Sequence, residues 1–188
     1  DVYMTPDGSR VAASARYYGE LHMLEGDGHL LWRFNGGDEA VWTVALTPDG
    51  SKVAVLGDQL YMLDGGGELL WKYDTEEGLA SSIAIADDGT RVAIGSLDGH
   101  VYVLDGRGES VWKYKMERSS LTRVGMTPDG GRVAAMATRH ANLHMFDHRG
   151  KLIWRHEGVD EARSVVMTPD GARVVVVSYD DGQLEMLD

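Results

Sequence analysis

The sequence predicts an all-β fold built from five repeats of one four-stranded unit, with the outer strand absent from the last repeat. The phrase Thr-Pro-Asp-Gly begins at residues 5, 47, 127 and 168, and a variant, Ala-Asp-Asp-Gly, begins at residue 86. The glycines of these five turns lie 42, 39, 41 and 41 residues apart, close to the ~40–45 residue period of a propeller blade. Apolar and polar residues alternate in short runs broken by Gly and Asp. No segment of about ten residues or more shows the 3.6-residue periodicity of a helix.

The second repeat shows the predicted strands in order. Residues 41–46 alternate as a first strand, and Pro48-Asp49-Gly50 follows as a turn, because proline fixes φ and glycine accepts positive φ. Residues 52–56 and 59–63 form the second and third strands, and a glycine-rich turn leads into a fourth strand that ends at residue 73.

The fourth strand has a recurring pattern of aliphatic, Trp, basic and aromatic residues, found at residues 31–34, 70–73, 111–114 and 153–156. The fifth repeat has no such segment. We expect a single propeller domain over residues 1–188, with repeats at about 1–40, 41–79, 80–120, 121–161 and an incomplete 162–188.

This outer strand resembles that of the PQQ-like propeller repeat, and the Pro-Asp-Gly turn resembles the corresponding turn of WD40 blades. Leu63-Asp64 and Phe146-Asp147 stand where WD40 repeats carry Trp-Asp, which favours the PQQ-like branch. The resemblance implies a propeller fold, and it brings in quinoprotein dehydrogenases as one alternative, in which a larger propeller holds the quinone beside calcium and often over a vicinal disulfide. A multivalent sugar-binding propeller is another alternative. With no cysteine and five repeats, we expect no cofactor and no catalysis.

The composition of the chain limits the classes of partner that it is expected to bind. The net charge of −12 opposes binding to nucleic acid or an anionic membrane, since both attract clustered Lys and Arg. No apolar run approaches the ~20 residues that cross a bilayer, so we expect no membrane insertion. The absence of cysteine excludes disulfides without selecting a compartment, although the PQQ-like resemblance favours an extracytoplasmic one. Because the chain starts inside a strand pattern, we expect it to be a domain of a longer or processed protein.

The repeats act as an internal control, since a position that is identical in all copies serves the architecture. We therefore expect the four tryptophans of the outer strands to pack between neighbouring blades, with each indole N–H bonded to a carbonyl. They are Trp32, Trp71, Trp112 and Trp154. Trp42 differs because its position holds Ser, Thr or Arg in other repeats, so it either stacks on a ligand or caps the core.

Divergence between the repeats concentrates in two sets of loops, those between the second and third strands and those between blades. Antiparallel strands place both sets at one end of each sheet, which we call the variable loop face and predict to bind a partner. The interblade loops carry −6 of the −12 net charge, so they would attract a protein or small-molecule ligand of positive charge, or serve only as a solvated surface. The predicted binding residues are Tyr17, Tyr18, Trp42, Glu76, Glu77, Arg118, Arg139, His140, Tyr179 and Asp180.

Two further expectations concern metal and assembly. His140, His144 and His148 are four residues apart, but strand geometry separates their α-carbons by ~13 Å, so we expect surface histidines and no metal. The incomplete fifth repeat leaves three alternatives: closure with a three-stranded blade, a strand from sequence beyond this chain, or self-association of two chains.

Overall fold

The computed structural model describes residues 2–15, 19–36, 41–75, 80–116, 122–137, 142–157, 162–178 and 184–187. All regular elements in these residues are β-strands, which fall into two compact units, residues 1–80 and 81–188. The boundary lies at a repeat junction. Among the described residues no helix is long and apolar enough to span a bilayer.

The first unit contains two four-stranded sheets. Their strands are β1 (Val2–Met4), β2 (Arg10–Ala15), β3 (Glu20–Glu25), β4 (Leu30–Asn35), β5 (Thr43–Leu46), β6 (Lys52–Leu56), β7 (Gln59–Asp64) and β8 (Leu69–Asp74).

The second unit contains two four-stranded sheets and one three-stranded sheet. Their strands are β9 (Ala80–Ile85), β10 (Arg91–Ser96), β11 (His100–Asp105), β12 (Ser110–Lys115), β13 (Thr122–Met126), β14 (Arg132–Ala137), β15 (Asn142–Asp147), β16 (Leu152–Glu157), β17 (Ala162–Met167), β18 (Val174–Ser178) and β19 (Leu184–Leu187).

Every sheet is an antiparallel meander in which neighbours in sequence are neighbours in space. The four complete sheets have the orders β1-β2-β3-β4, β5-β6-β7-β8, β9-β10-β11-β12 and β13-β14-β15-β16, and the last has the order β17-β18-β19. This is the strand order of propeller blades, and it confirms the predicted all-β repeat fold with an outer strand absent from the fifth sheet.

The turn between the first and second strands is held by its own threonine and aspartate. In the second repeat, Gly50 N–H donates to the Thr47 carbonyl (2.9 Å), with Gly50 at φ +65°. The Thr47 hydroxyl donates to Asp49 Oδ1 (2.7 Å) and accepts from the N–H of Lys52 (3.0 Å). Asp49 Oδ1 also accepts the Ser51 N–H (2.9 Å). The same bonds recur in the turns at residues 5, 127 and 168, so local bonding explains why the phrase is repeated along the chain.

These bonds to the ionised carboxylate lower the pKa of the turn aspartates. The Ser51 N–H and the Thr47 hydroxyl lower the pKa of Asp49 to about 2, and the Thr5 hydroxyl with the Ser9 N–H does the same for Asp7. The turns are therefore most stable at pH values at which these aspartates are charged.

Within each unit, adjacent sheets pack face to face. We call the face of a sheet that packs on the following sheet its forward face, and the opposite one its backward face. In the fifth sheet, the forward face is the one that bears the positions equivalent to Leu21 and Met23. In the first unit, Leu21 and Met23 of the first sheet share a buried cluster with Val44 and Val53 of the second. In the second unit, equivalent clusters join the third sheet to the fourth and the fourth to the fifth. The core is thus a series of intersheet layers.

Two of the outer-strand tryptophans, Trp32 and Trp112, lie against a turn of the following sheet. In the first unit, a Cβ built on Gly67 would come within 2.7 Å of the Trp32 ring, and Trp32 Nε1 donates to the Gly65 carbonyl (3.0 Å). Trp112 makes the same approach to Gly150 in the second unit. Trp154 packs against the cluster between the fourth and fifth sheets, and Trp71 is half-buried.

The expected indole hydrogen bond is absent at Trp112, whose buried Nε1 has no acceptor among the described residues. Its counterpart in the first unit, Trp32, donates to a carbonyl of the adjacent turn. Comparing Trp32 with Trp112 therefore separates the contribution of ring packing from that of the indole hydrogen bond.

An arginine at the start of the second strand forms another intersheet contact in the first, third and fourth sheets. Nη1 of Arg10 donates to the Gly65 carbonyl (2.5 Å), and Nη1 of Arg132 donates to the Gly171 carbonyl (2.7 Å). Nη1 of Arg91 donates to the His148 carbonyl (2.9 Å). Each of these arginines therefore bonds to a turn carbonyl of the following sheet.

Replacing Trp32 by Phe is expected to cost about 1 kcal/mol more unfolding free energy than the same change at Trp112. Both variants lose ring area, but Trp32→Phe also removes a hydrogen bond, whereas Trp112→Phe removes an N–H that is buried without an acceptor among the described residues. Urea unfolding of the two variants measures the difference, and equal losses would show that the Nε1 bond contributes nothing.

Replacing Asp49 by Asn is expected to flatten the acid side of the stability profile. The folded pKa of Asp49 is depressed from 3.8 to about 2, so its stabilisation is present above about pH 4 and is lost as the pH falls towards 2. The amide keeps an acceptor oxygen but has no charge. Thermal unfolding between pH 7 and pH 2 should show the variant less stable at pH 7 and equal to wild type near pH 2. Asp87→Asn, an exposed carboxylate in the third turn, is the control, and an equal flattening there would contradict the explanation.

Candidate functional site

The described ends of the two variable sets of loops lie side by side at one end of the sheets. Gly36 N–H donates to the Gly19 carbonyl in the first sheet (3.0 Å), and Met116 N–H donates to the Gly99 carbonyl in the third (2.9 Å). In the second sheet, the buried Thr75 hydroxyl donates to a carbonyl of the link between the second and third strands (3.5 Å). These bonds tie the end of a fourth strand to the link beside it.

Most of the predicted binding residues lie outside the described part of the chain. They are Tyr17, Tyr18, Glu76, Glu77, Arg118, Arg139, His140, Tyr179 and Asp180. Their role stays a prediction.

Trp42 is described and lies directly before β5. Its backbone N–H donates to the Leu56 carbonyl (2.7 Å), which extends the pairing of β5 with β6, and its side chain is half-buried. Half-burial agrees with both ligand stacking and capping of the core, so both alternatives remain predictions.

The best-defined polar group on the variable loop face surrounds Asp98, between β10 and β11. Asp98 Oδ1 accepts the His100 N–H (2.8 Å), and Oδ2 accepts the Tyr102 hydroxyl (3.1 Å) and contacts His100 Nδ1 (2.8 Å). The Ser96 hydroxyl also bonds to this carboxylate. The Asp98 side chain is 11% exposed and that of His100 is 22% exposed. The arrangement orients the imidazole by the same carboxylate-to-Nδ1 contact that orients histidines in many sites.

The surrounding bonds keep Asp98 ionised. Burial raises the pKa of Asp98, but the hydrogen bonds from the His100 N–H, the Ser96 hydroxyl and the His100 ring outweigh it, so the pKa lies below its ordinary value. Burial raises the pKa of Tyr102 to about 12, and the charge of Asp98 adds to that rise. The carboxylate is therefore a fixed acceptor, and a weak general base at neutral pH.

Two lysines of β12 complete the group. Lys113 Nζ lies 4.9 Å from the centroid of the Tyr102 ring, and Lys115 Nζ donates to the Asp98 carbonyl. The cluster therefore combines one shielded negative charge with two positive charges and a partly exposed imidazole, an arrangement suited to polar recognition.

Asp98 lies in one of the variable links between second and third strands, but His100 and Tyr102 are not among the binding residues that the sequence predicts. A signal was present in the register of the repeats. The positions of His100 and Tyr102 hold Glu20 and His22 in the first repeat. When all repeats are compared, only the third combines Asp, His and Tyr at these alternate positions. Alternation along a strand places His100 and Tyr102 on one face.

One expectation about the histidines is wrong. His144 is 3% exposed, because its face of β15 packs against aromatic residues: the ring centroids of Tyr114 and Phe146 lie 5.7 and 5.9 Å away. His148 lies in the turn after β15 and His140 lies outside the described residues.

A second polar group lies at the opposite end of the first sheet. Glu25, Asp27 and His29 bring one potential metal-ligand atom each to within 4.8 Å of one another. All three are exposed, and Glu25 and Asp27 border an open groove of about 610 Å³ that Arg10 also lines. The His29 N–H bonds to Asp27 Oδ1 (3.0 Å), as expected of a turn closed by its own aspartate, so turn geometry accounts for the grouping.

The meander sheets, the intersheet tryptophans and the recurring turns together define a propeller-type protein of the PQQ-like class. A family model described as outer membrane protein assembly factor BamB matches the chain twice, over residues 17–107 and 97–188. The chain belongs to this family. The second match begins two repeats after the first, so the family pattern itself follows the repeat. No curated protein matches the chain.

Replacing Tyr102 by Phe is expected to reduce the loss of stability at alkaline pH. The folded pKa of Tyr102 is raised from 10.0 to about 12, so its stabilisation is complete below about pH 10 and is lost as the pH rises towards 12. Urea unfolding at pH 8, 10 and 11.5 measures the slope. Tyr3→Phe, at a 39% exposed position, is the control, and an equal change in both slopes would argue against a shielded hydroxyl.

Proposed function

We propose that the chain is a non-catalytic binding module that engages its partner through the variable loop face. The observation that supports this is the contrast between the two ends of the sheets. At one end the same turn recurs with its bonds closed on itself. At the other end the loops differ between repeats, and the Asp98 group occurs in one repeat alone.

The chemistry of the Asp98 group favours recognition over catalysis. A carboxylate that accepts several hydrogen bonds is held rigid and has little affinity for a proton, whereas a general base needs a pKa near the working pH. A rigid group with one partly exposed imidazole offers directional contacts instead. The chain also lacks the cysteines of the quinoprotein alternative.

The charge of the variable loop face favours a cationic partner, either a protein segment or a small molecule. Asp74 ends β8 and Glu157 ends β16, and both begin acidic interblade loops. Complementary charge raises association rates and selects partners by sign, and the same charge disfavours nucleic acid. The family description, outer membrane protein assembly factor, names an assembly role, which for this chain corresponds to binding.

An octalysine peptide with a fluorescent label is a direct probe of this face. The triple variant Glu76→Gln, Glu77→Gln and Asp180→Asn should bind it more weakly, by roughly 0.5 kcal/mol per carboxylate removed, as measured by fluorescence anisotropy. A second variant with Tyr17, Tyr18, Arg118, Arg139, His140 and Tyr179 changed to Ala tests the remaining contacts.

The matched control makes the same charge change at the opposite end, with Glu68→Gln, Glu109→Gln and Asp27→Asn. It should leave the affinity close to wild type. Equal weakening by both triple variants would show that the peptide responds to net charge alone, and that result would overturn the assignment of the face.

A further inference from the structure

The forward face of the fifth sheet is exposed at positions that are buried in the preceding sheets. Leu184 is 65% exposed and Met186 is 56% exposed. In the register of the repeats they correspond to Leu21 and Met23 of the first sheet, both of which are fully buried. Val177, 41% exposed, extends the same apolar face.

The backward face of the first sheet is exposed in the same way. Val2 is 69% exposed and Met4 is 64% exposed. Counting from the Thr-Pro-Asp-Gly turn, their counterparts in the second sheet are Val44, fully buried, and Leu46, half-buried.

These two exposed faces correspond to the two sides of the contact that adjacent sheets form within each unit. In the first unit, Val44 and Leu46 pack on Leu21 and Met23. In the second unit the equivalent positions pack in the same way at both junctions, with Val165 meeting Met145 as one example. The corresponding positions hold aliphatic residues or Met in each of these sheets. The exposed Leu184 and Met186 therefore match the exposed Val2 and Met4 in shape and polarity.

The polar contact of the internal junctions is also divided between the two exposed faces. A Cβ built on Gly50 or Gly171 would lie 2.6 Å from Cδ of an arginine of the preceding sheet, whereas one built on Gly8 meets nothing within 4 Å. The fifth sheet carries Arg173 at the position from which Arg10 and its counterparts reach the next turn. Gly8 of the first sheet and Arg173 of the fifth sheet thus occupy the two positions that form this arginine-to-turn contact at the internal junctions.

From these observations we propose that two copies of this chain associate head to tail, with the forward face of the fifth sheet of one copy packed on the backward face of the first sheet of the other. The partner surface is a second copy because this chain itself supplies both halves of the contact. Such a contact joins two different surfaces, so it builds either a closed ring or a longer chain of copies.

Sedimentation and light scattering over a concentration series test the proposal. The mass of the 188-residue chain should rise from 20.6 kDa to at least twice that value. A forward variant, Leu184→Lys with Met186→Lys, and a backward variant, Val2→Lys with Met4→Lys, should each remain monomeric. Leu69→Lys with Leu70→Lys, at positions on β8 that are 53% and 50% exposed, is the control and should associate as wild type does.

Mixing the two variants gives the sharpest result. The forward variant keeps an intact first sheet and the backward variant keeps an intact fifth sheet, so the mixture should form one junction and stop at twice the monomer mass. Circular dichroism checks that each variant is folded. If a double variant is unfolded, Arg173→Ala replaces the forward variant and should weaken the association while the fold is retained.

Three results would overturn the proposal. They are a wild-type mass of 20.6 kDa at all concentrations, loss of association in only one of the two variants, and failure of the mixture to associate. The octalysine assay can fail separately from these outcomes, because its triple variant changes carboxylates and leaves the apolar residues of both terminal faces intact.

Discussion

Each sheet in this protein has two apolar faces, and a unit of about forty residues cannot bury both by itself. The described junctions show how the problem is met: Leu21 and Met23 on one sheet are covered by Val44 and Val53 on the next. Stability in such an array is a property of neighbouring pairs rather than of single repeats. The tryptophans and arginines reinforce the same junctions from the outer strands and from the turns.

The turns contribute in a different way, because their bonds close within each repeat. Thr47, Asp49 and Gly50 satisfy one another and the adjacent backbone, which fixes the angle at which the second strand leaves the first. Arg132 then uses the rigid turn of the following sheet as an acceptor. Local bonding therefore prepares the surface on which the intersheet contact forms.

The sequence predicted the strands, their order and the five repeats because period and turn chemistry are local signals. It did not predict the burial of His144, since that depends on Tyr114 approaching from a different sheet. It also passed over the Asp98 group, whose members are individually ordinary and become informative only when the repeats are compared in register. The different bonding of the Trp112 and Trp32 indole N–H groups was also not predictable, because both tryptophans occupy the same position of the repeat.

The self-contained turn has a consequence for how such a chain can change over time. Because Thr5, Asp7 and Gly8 bond with one another and with adjacent residues, duplicating or deleting one repeat leaves every remaining turn chemically complete. Only the junction at the point of insertion must be matched, and its residue types are already shared by all copies. Genes for proteins of this kind can therefore gain or lose repeats by unequal recombination without first acquiring compensating substitutions.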